Sequence, residues 1–600
     1  MKGIFRISVL MYADLVVELA LFEIWSMQTY LTGVWKMSFT HAAATINIWE
    51  GTTKVLQVCF MLLVDSYMGN FLMLLLSSIA YSVGLVLLFT SSSLVHANCR
   101  HNEQMCIGDA EKILFYTALT LITVGVSGHR VSLVSFYKEH LSDVHGLRRN
   151  IHELFLPFLV STIGGFGLPY IKQWRIRFGI PVICVVAATL IFLTGVCTYE
   201  KSRPIGGSKL ITVFRVVVAS AFKSTTPFPL DIDSIAFPLD DSYVHRAPTR
   251  GFRFLEKAAI ITCGIEEPEK NKWRLCTVQD VEEAKIVLRM APIWMTFIAC
   301  GIVSCFANTY FQEQANHMYN KIGILEVPPL VLLMIQKWIE KPCELLYDRT
   351  FSQARKFVGI LVAMVCSVLC CITAAKVEMR RLGVIRSNGL VNKPNEDIPM
   401  TIFWLLPQIC LLAIMNSLLR KGISDFCRSY ATDSNNLSDY LNGFSEGALG
   451  LGYMCSPLLV SIVGKISEKE GGKTNWFQHA LSRSRLDKYY WVMAVLCSVN
   501  LLVYIYVAST YKERDLYALD REFSSSFHVE ELGVIPEEPE VIVEERPEVI
   551  LEEPEIILEE REVILEEREI ILEEREVIPE EREVIPEELK VILQEPEIIL

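Results

Sequence analysis

Tyr30-Leu31-Thr32, then Asn47-Ile48-Trp49-Glu50-Gly51-Thr52, then Val64-Asp65-Ser66-Tyr67-Met68-Gly69-Asn70: read in order, these three blocks decide the fold. They frame two apolar segments of about 20 residues, each long enough to cross a bilayer as a helix, joined by one tight turn. The turn sets Asp65 and Gly69 four residues apart. A carboxylate there can accept hydrogen bonds from the open amides at the start of the next helix. A glycine there lets two helices approach closely.

Outward from this stretch, the composition asks for a membrane. The chain of 600 residues is 52% hydrophobic with a mean hydropathy of +0.34, yet 21% of it is charged. The charge must therefore be segregated. Residues 537–600 hold 25 Glu against 5 Arg and 1 Lys, a net −19, so the remainder carries +6 of the total −13. A mildly basic membrane body with an acidic appendage is a different object from an acidic protein. The N-terminal apolar run carries Asp14, Glu18 and Glu23 and lacks a small-residue cleavage site, so it reads as a first span rather than a signal peptide. Most of the 17 Cys fall inside apolar runs and read as small buried hydrophobes. Cys99 and Cys106 sit together in a polar loop, and they are the disulfide candidates if that loop faces an oxidising space.

Hydropathy places twelve spans at 9–29, 43–65, 71–92, 113–134, 151–171, 178–198, 285–306, 325–346, 355–375, 401–420, 440–464 and 489–509. The longest break, 199–284, divides them into two sets of six. The expected domains are a first bundle over 1–198, a central loop over 199–284, a second bundle over 285–514 and a tail over 515–600. Within the central loop, Leu210 to Ala219 reads as a helix lying in the membrane interface, with Lys209, Arg215 and Lys223 as anchors. With a cytoplasmic N-terminus, Lys138, Arg148, Arg149, Arg349, Arg355, Lys356, Lys421 and Arg428 gather on the cytoplasmic side, against Arg380, Arg381, Arg386 and Arg483 outside. The tail repeats Glu-Glu-(Pro/Arg)-Glu-(Val/Ile)-Ile-(Leu/Val/Pro), and its recurring Pro breaks any long helix. It reads as solvated and largely disordered, with a docking segment for a basic protein partner as the functional alternative.

The blocks Tyr-Leu-Thr, Asn-x-Trp-x-Gly-Thr and Val-Asp-Ser-x-x-Gly, in this order and spacing, resemble those of the plant nitrate/peptide transporter family. That family is the proton-dependent oligopeptide branch of the major facilitator superfamily. Later blocks fit too: Gly251 to Ala259, Arg289 to Trp294, Val327-Pro328-Pro329, Tyr347-Asp348-Arg349, Phe403 to Gln408 and Asp487 to Trp491. The resemblance covers about 9–514. It implies an all-α membrane protein of the major facilitator fold, twelve helices in two six-helix halves, with a solute site near the midplane between them. A small-molecule or anion substrate, the lipid bilayer and protons are the partners it implies. No cofactor, metal site, nucleophile triad or nucleic-acid motif is read, and the chain is not expected to be an enzyme.

Ionisable residues within spans are functional candidates by default. Proton-coupled members of the family carry Glu-x-x-Glu-Arg in the first span; counted back from Tyr30, those positions are Ala13, Val16 and Val17. Glu18 and Glu23 lie nearby, about 140° apart around the helix, and could titrate in a cavity. The family's Gly-Gly-Ile-Lys in span 4 corresponds to Ser127-Gly128-His129-Arg130. A fixed guanidinium suits a carboxylate or other anion, and His129 can titrate near neutral pH. Arg130 could equally be a structural partner of Glu18 or Glu23. At the end of span 7, Gln314 is the expected hydrogen-bonding residue for substrate and Glu313 a span-end or gate charge. Asn416 stands where the family usually places a span-10 Glu. The candidates are thus Glu18, Glu23, Tyr30, His129, Arg130, Gln314 and Asn416. Three functions stay open: transport with altered or absent proton coupling, proton symport through Glu18, Glu23 or His129, and a transport-inactive scaffold or sensor working through the tail.

Overall fold

The computed structural model describes residues 24–101, 107–141, 156–194, 209–225, 252–260, 273–323, 325–350, 356–393, 396–430, 435–469 and 475–531. Glu18, Glu23, Cys106 and the repeat tail lie outside the described residues, and with them the Cys99–Cys106 pairing. Among the described residues, eight helical stretches are long and apolar enough to cross a membrane. They cover nine of the twelve expected spans, because one of them, Phe39–His96, takes in two.

That stretch is the quoted one. Helix α1 is Met27–Gly33. Helix α2, Phe39–Leu63, starts at Ser38, whose hydroxyl accepts from the His41 amide. It runs through a π-turn, Val64–Met68, into α3, Gly69–His101. The turn corrects two expectations. Gly69 sits at φ +70°, a conformation that costs a side chain dearly, so backbone geometry rather than helix approach explains the glycine. Asp65 does not cap α3; its carboxylate accepts from the Tyr440 hydroxyl, far along the chain. The Gly69 amide is met instead by the Val64 carbonyl of the π-turn.

The first bundle continues with α4, Asp109–Leu141, α5, Leu156–Gly167, and α6, Trp174–Thr194. Helix α3 packs along both α4 and α6. The α3–α4 crossing is tight: a Cβ on Gly125 would sit 2.6 Å from that of Tyr81. The second bundle holds α9, Val278–Ser304, α11, Val331–Thr350, α12, Lys356–Ser387, α13, Leu406–Tyr430, α14, Asn435–Lys469, and the start of α15, Leu486–Glu531. Helix α9 passes through a π-turn, Ala307–Phe311, into the short α10, Gln312–Asn316. Helix α11 is too charged to count as an apolar span, because Lys337, Glu340, Lys341, Glu344, Asp348 and Arg349 all fall on it. Two bundles meet along α2–α14 and α5–α11.

Gly443, Gly447, Gly450 and Gly452 divide their work between two neighbouring helices. The first three face Met61, Val58 and Gly51 on α2, and Gly452 faces Gly301 on α9. Between the bundles, α7, Lys209–Phe222, and α8, Arg253–Glu256, dock on the foot of α9. Their core is Val216, Ala219, Leu255, Ala258, Ala259, Cys276, Val281 and Ala284. Lys223 is not a membrane anchor: its ammonium is buried and donates to the carbonyls of Ala258 (3.1 Å) and Ile260 (2.6 Å). Arg381 is also buried.

Candidate solute cavity

Six helices turn polar residues into one cavity of about 420 Å³ between the bundles. Helical spacing explains how each contributes more than one group, since residues three and four apart share a face. Helix α2 supplies Trp49, Glu50, Thr53, Lys54 and Gln57; α4 supplies Arg130; α11 supplies Gln336, Lys337 and Glu340; α13 supplies Asn416 and Arg420; α14 supplies Glu446 and Tyr453. Ser304 and Asn308, at the end of α9 and in its π-turn, close the wall, and Trp25 lies at its edge. The volume falls in the range of about 300–1,000 Å³ usual for small-molecule sites.

Three carboxylates and four cations line this space. Lys54 pairs with Glu446 across the α2–α14 seam. Their helices can approach so closely because Gly51 and Gly450 face each other: a Cβ on Gly450 would sit 2.8 Å from the Gly51 carbonyl. Glu340 is held by Lys337 (2.9 Å), Arg420 (3.5 Å) and the Gln336 amide (3.1 Å). Arg420 also reaches Glu344 at 2.8 Å. Glu50 accepts from the Asn308 amide at 2.8 Å, a bond from the first bundle to the second. Asn416 accepts from the Ser304 hydroxyl at 2.8 Å. Arg130 is exposed to the cavity and makes no hydrogen bond or ion pair with any described residue.

Of the candidates read from the sequence, Arg130 and Asn416 are brought together here. His129 is buried beside Arg130 but does not line the cavity. Tyr30 packs in an aromatic cluster with Trp174 (5.1 Å) and Phe178 (5.2 Å). Gln314 donates to Glu378 at 2.6 Å, in a separate buried cluster. Glu313 sits at one end of the bundle interface. There its carboxylate accepts from Thr32 (3.1 Å) and Gln28 (3.4 Å), and Thr29 bonds Asn316 at 3.2 Å. These contacts join α1 to α10. Glu50, Lys54, Lys337, Glu340, Arg420 and Glu446 escaped the motif comparison, although each falls in an expected span. A plain count of ionisable residues within spans finds all six. Among the described residues, no group of three or more His, Cys, Asp or Glu could hold a metal ion.

The comparisons agree with this architecture. Residues 71–477 match the sequence pattern of the POT family (PTR2). The chain is 36% identical over 513 residues to Protein NRT1/PTR FAMILY 5.5 of Arabidopsis thaliana, covering 82% of this chain and 94% of that protein. Among solved structures it is similar to the POT family transporter PepTSo, with a TM-score of 0.55 at 14% identity over 85% of this chain and 98% of that one. A POT family transporter in complex with 5-aminolevulinic acid gives a TM-score of 0.51 at 11% identity, over 84% and 96%. These structural likenesses speak to the fold, and the sequence matches to the family. A helical, multi-pass membrane chain with a charged cavity between two bundles, it belongs to the POT family and is a secondary transporter of small solutes, not an enzyme.

Proposed function

We propose that the solute is a small anion or carboxylate-bearing zwitterion, and that Arg130 is its anchor. The observation that carries this is the guanidinium in the cavity between the bundles with no partner among the described residues. A cation left unpaired in a low-dielectric space is costly, and an entering carboxylate or other oxyanion relieves that cost through two parallel N–H···O bonds. Lys54, Lys337 and Arg420 are already engaged by Glu446 and Glu340, so they set the field rather than receive the ligand. Nitrate, short peptides and organic acids all fit this chemistry. The 5-aminolevulinic acid held by a structural neighbour is itself a carboxylate-bearing zwitterion. Transport would follow by rocking of the bundles about the α2–α14 and α5–α11 seams, exposing the cavity to each side in turn.

Uptake of labelled nitrate, dipeptides and small organic acids into oocytes tests the reading. Arg130→Ala should lower affinity for the transported solute roughly a hundredfold, as expected for about 3 kcal/mol lost from a desolvated charge pair. Arg130→Lys should recover part of it, because the charge returns without the fork. Unchanged uptake by Arg130→Ala, present in normal amount at the membrane, overturns the assignment.

A further inference from the structure

We propose that Glu50 is the proton-carrying group of this transporter, taking the place of the first-span carboxylate motif that the chain lacks. The inference rests on the solute reading above and adds the coupling ion to it. Among the cavity's three carboxylates, two are tied to cations: Glu446 to Lys54, and Glu340 to Lys337 and Arg420. A carboxylate so held stays ionised through a transport cycle. Glu50 differs, since its partner is a neutral amide, that of Asn308, and it makes no ion pair among the described residues. It also lines the cavity, the route by which a proton would reach it.

Its position gives the proton something to do. Glu50 is on α2 and Asn308 is in the π-turn that ends α9, so their 2.8 Å bond joins the two bundles. Such turns recur at functional sites. When Glu50 is ionised, the Asn308 N–H donates to a full charge, which is the stronger form of the bond. A proton on Glu50 removes the charge and loosens the seam where the bundles must part.

The surrounding charges link proton to solute. Lys54 lies one turn further along α2; Arg130 faces from α4, Lys337 and Glu340 from α11, and Arg420 from α13. Glu446 and Tyr453 face from α14, and Cys305 lies at the end of α9. Lys54, Arg130 and Lys337 each act against a proton on Glu50. An anion seated on Arg130 cancels one of those positive charges, so solute and proton favour each other's entry. Reciprocity follows from linkage: acid must also tighten solute binding.

The test uses the full chain in proteoliposomes and oocytes. In the wild type, uptake of the transported anion should rise several-fold from pH 7.5 to 5.5, and solute entry should acidify the vesicle lumen. In Glu50→Gln, counterflow exchange of labelled for unlabelled solute should persist at a measurable rate, showing a folded carrier. Gradient-driven accumulation should fall at least tenfold, and lumenal acidification should vanish. Glu50→Asp should restore part of the acid response. Acid-driven accumulation surviving in Glu50→Gln overturns the proposal and leaves the solute reading intact, as does a wild type whose uptake ignores pH. A wild type that moves no anion or zwitterion overturns the solute reading first.

Discussion

Two buried charge clusters in this molecule look alike by composition and behave differently. In the second bundle, Glu378 accepts two bonds from Arg381, both at 2.7 Å, and a third from Gln314 at 2.6 Å. Arg381 also donates to the Leu481 carbonyl at 3.3 Å. Each charge there is met. In the cavity, Arg130 has no described partner and Glu50 has only an amide. Residue type does not separate the two clusters; completeness does. A closed set of charges holds a fold together, whereas an open set waits for a ligand. The sequence reading placed Gln314 and Arg130 in one category, and the structure puts them on opposite sides of this line.

The comparison breaks most sharply if one cation is removed from each cluster. Arg130→Ala should cut solute affinity about a hundredfold while leaving the protein folded. Arg381→Leu should do the reverse. It strands the Glu378 charge in a closed site and should destabilise the fold by about 3–5 kcal/mol. Thermal unfolding in detergent, set beside uptake per molecule at the membrane, reads both. Adding Glu378→Gln to Arg381→Leu should recover much of the stability, because the stranded charge is then gone. If Arg381→Leu folds normally and loses only uptake, the closed cluster belongs to the transport machinery after all.

What the sequence revealed follows the same division. The apolar runs and the Asn-x-Trp-x-Gly-Thr block were legible because hydropathy and local spacing are local facts. They put Glu50 and Lys54 on a membrane helix, though not at the bundle seam. The partner of Lys54 lies 392 residues away, and no local rule names Glu446. Asp65 was misread for the same reason: a cap is the local use of an Asp, and Tyr440 is a distant one. Helix α11 was found by hydropathy only loosely, since the charges that serve the cavity and α13 dilute its apolar signal. Lys223 looked like an interfacial anchor because a basic residue at the end of an amphipathic helix usually snorkels. Only the folded linker shows the two carbonyls it serves.

A smaller effect probes the seam that holds the cavity together. Gly450→Ala places a Cβ 2.7 Å from that of Lys54 and 2.8 Å from the Gly51 carbonyl, so α2 and α14 must move apart. Overpacking of this kind costs about 1–3 kcal/mol. The expected result is a modestly lowered unfolding temperature and a weakened Lys54–Glu446 pair, with uptake reduced rather than lost. An unchanged unfolding temperature would show that the seam has slack.

The smallest expected effect lies outside the membrane and concerns the linker. Cys276 is buried against α7, and that burial first, with Asp280 nearby, pushes its thiol up to about 11. The thiolate is the nucleophile, so at pH 8 Cys276 should resist maleimide while the linker is docked. Lys223→Leu removes the donor that Ala258 and Ile260 share; the Ala258 carbonyl keeps the Cys276 amide, but the Ile260 carbonyl loses its ammonium partner, a loss of about 1–3 kcal/mol. That is enough to let α7 lift from the foot of α9 part of the time, and Cys276 should then label measurably faster. Because the linker joins the bundles without lining the cavity, solute affinity should stay the same in this variant. Fast labelling of Cys276 in the wild type would instead mean that α7 spends much of its time undocked, and that the linker holds the bundles together less than its packing implies.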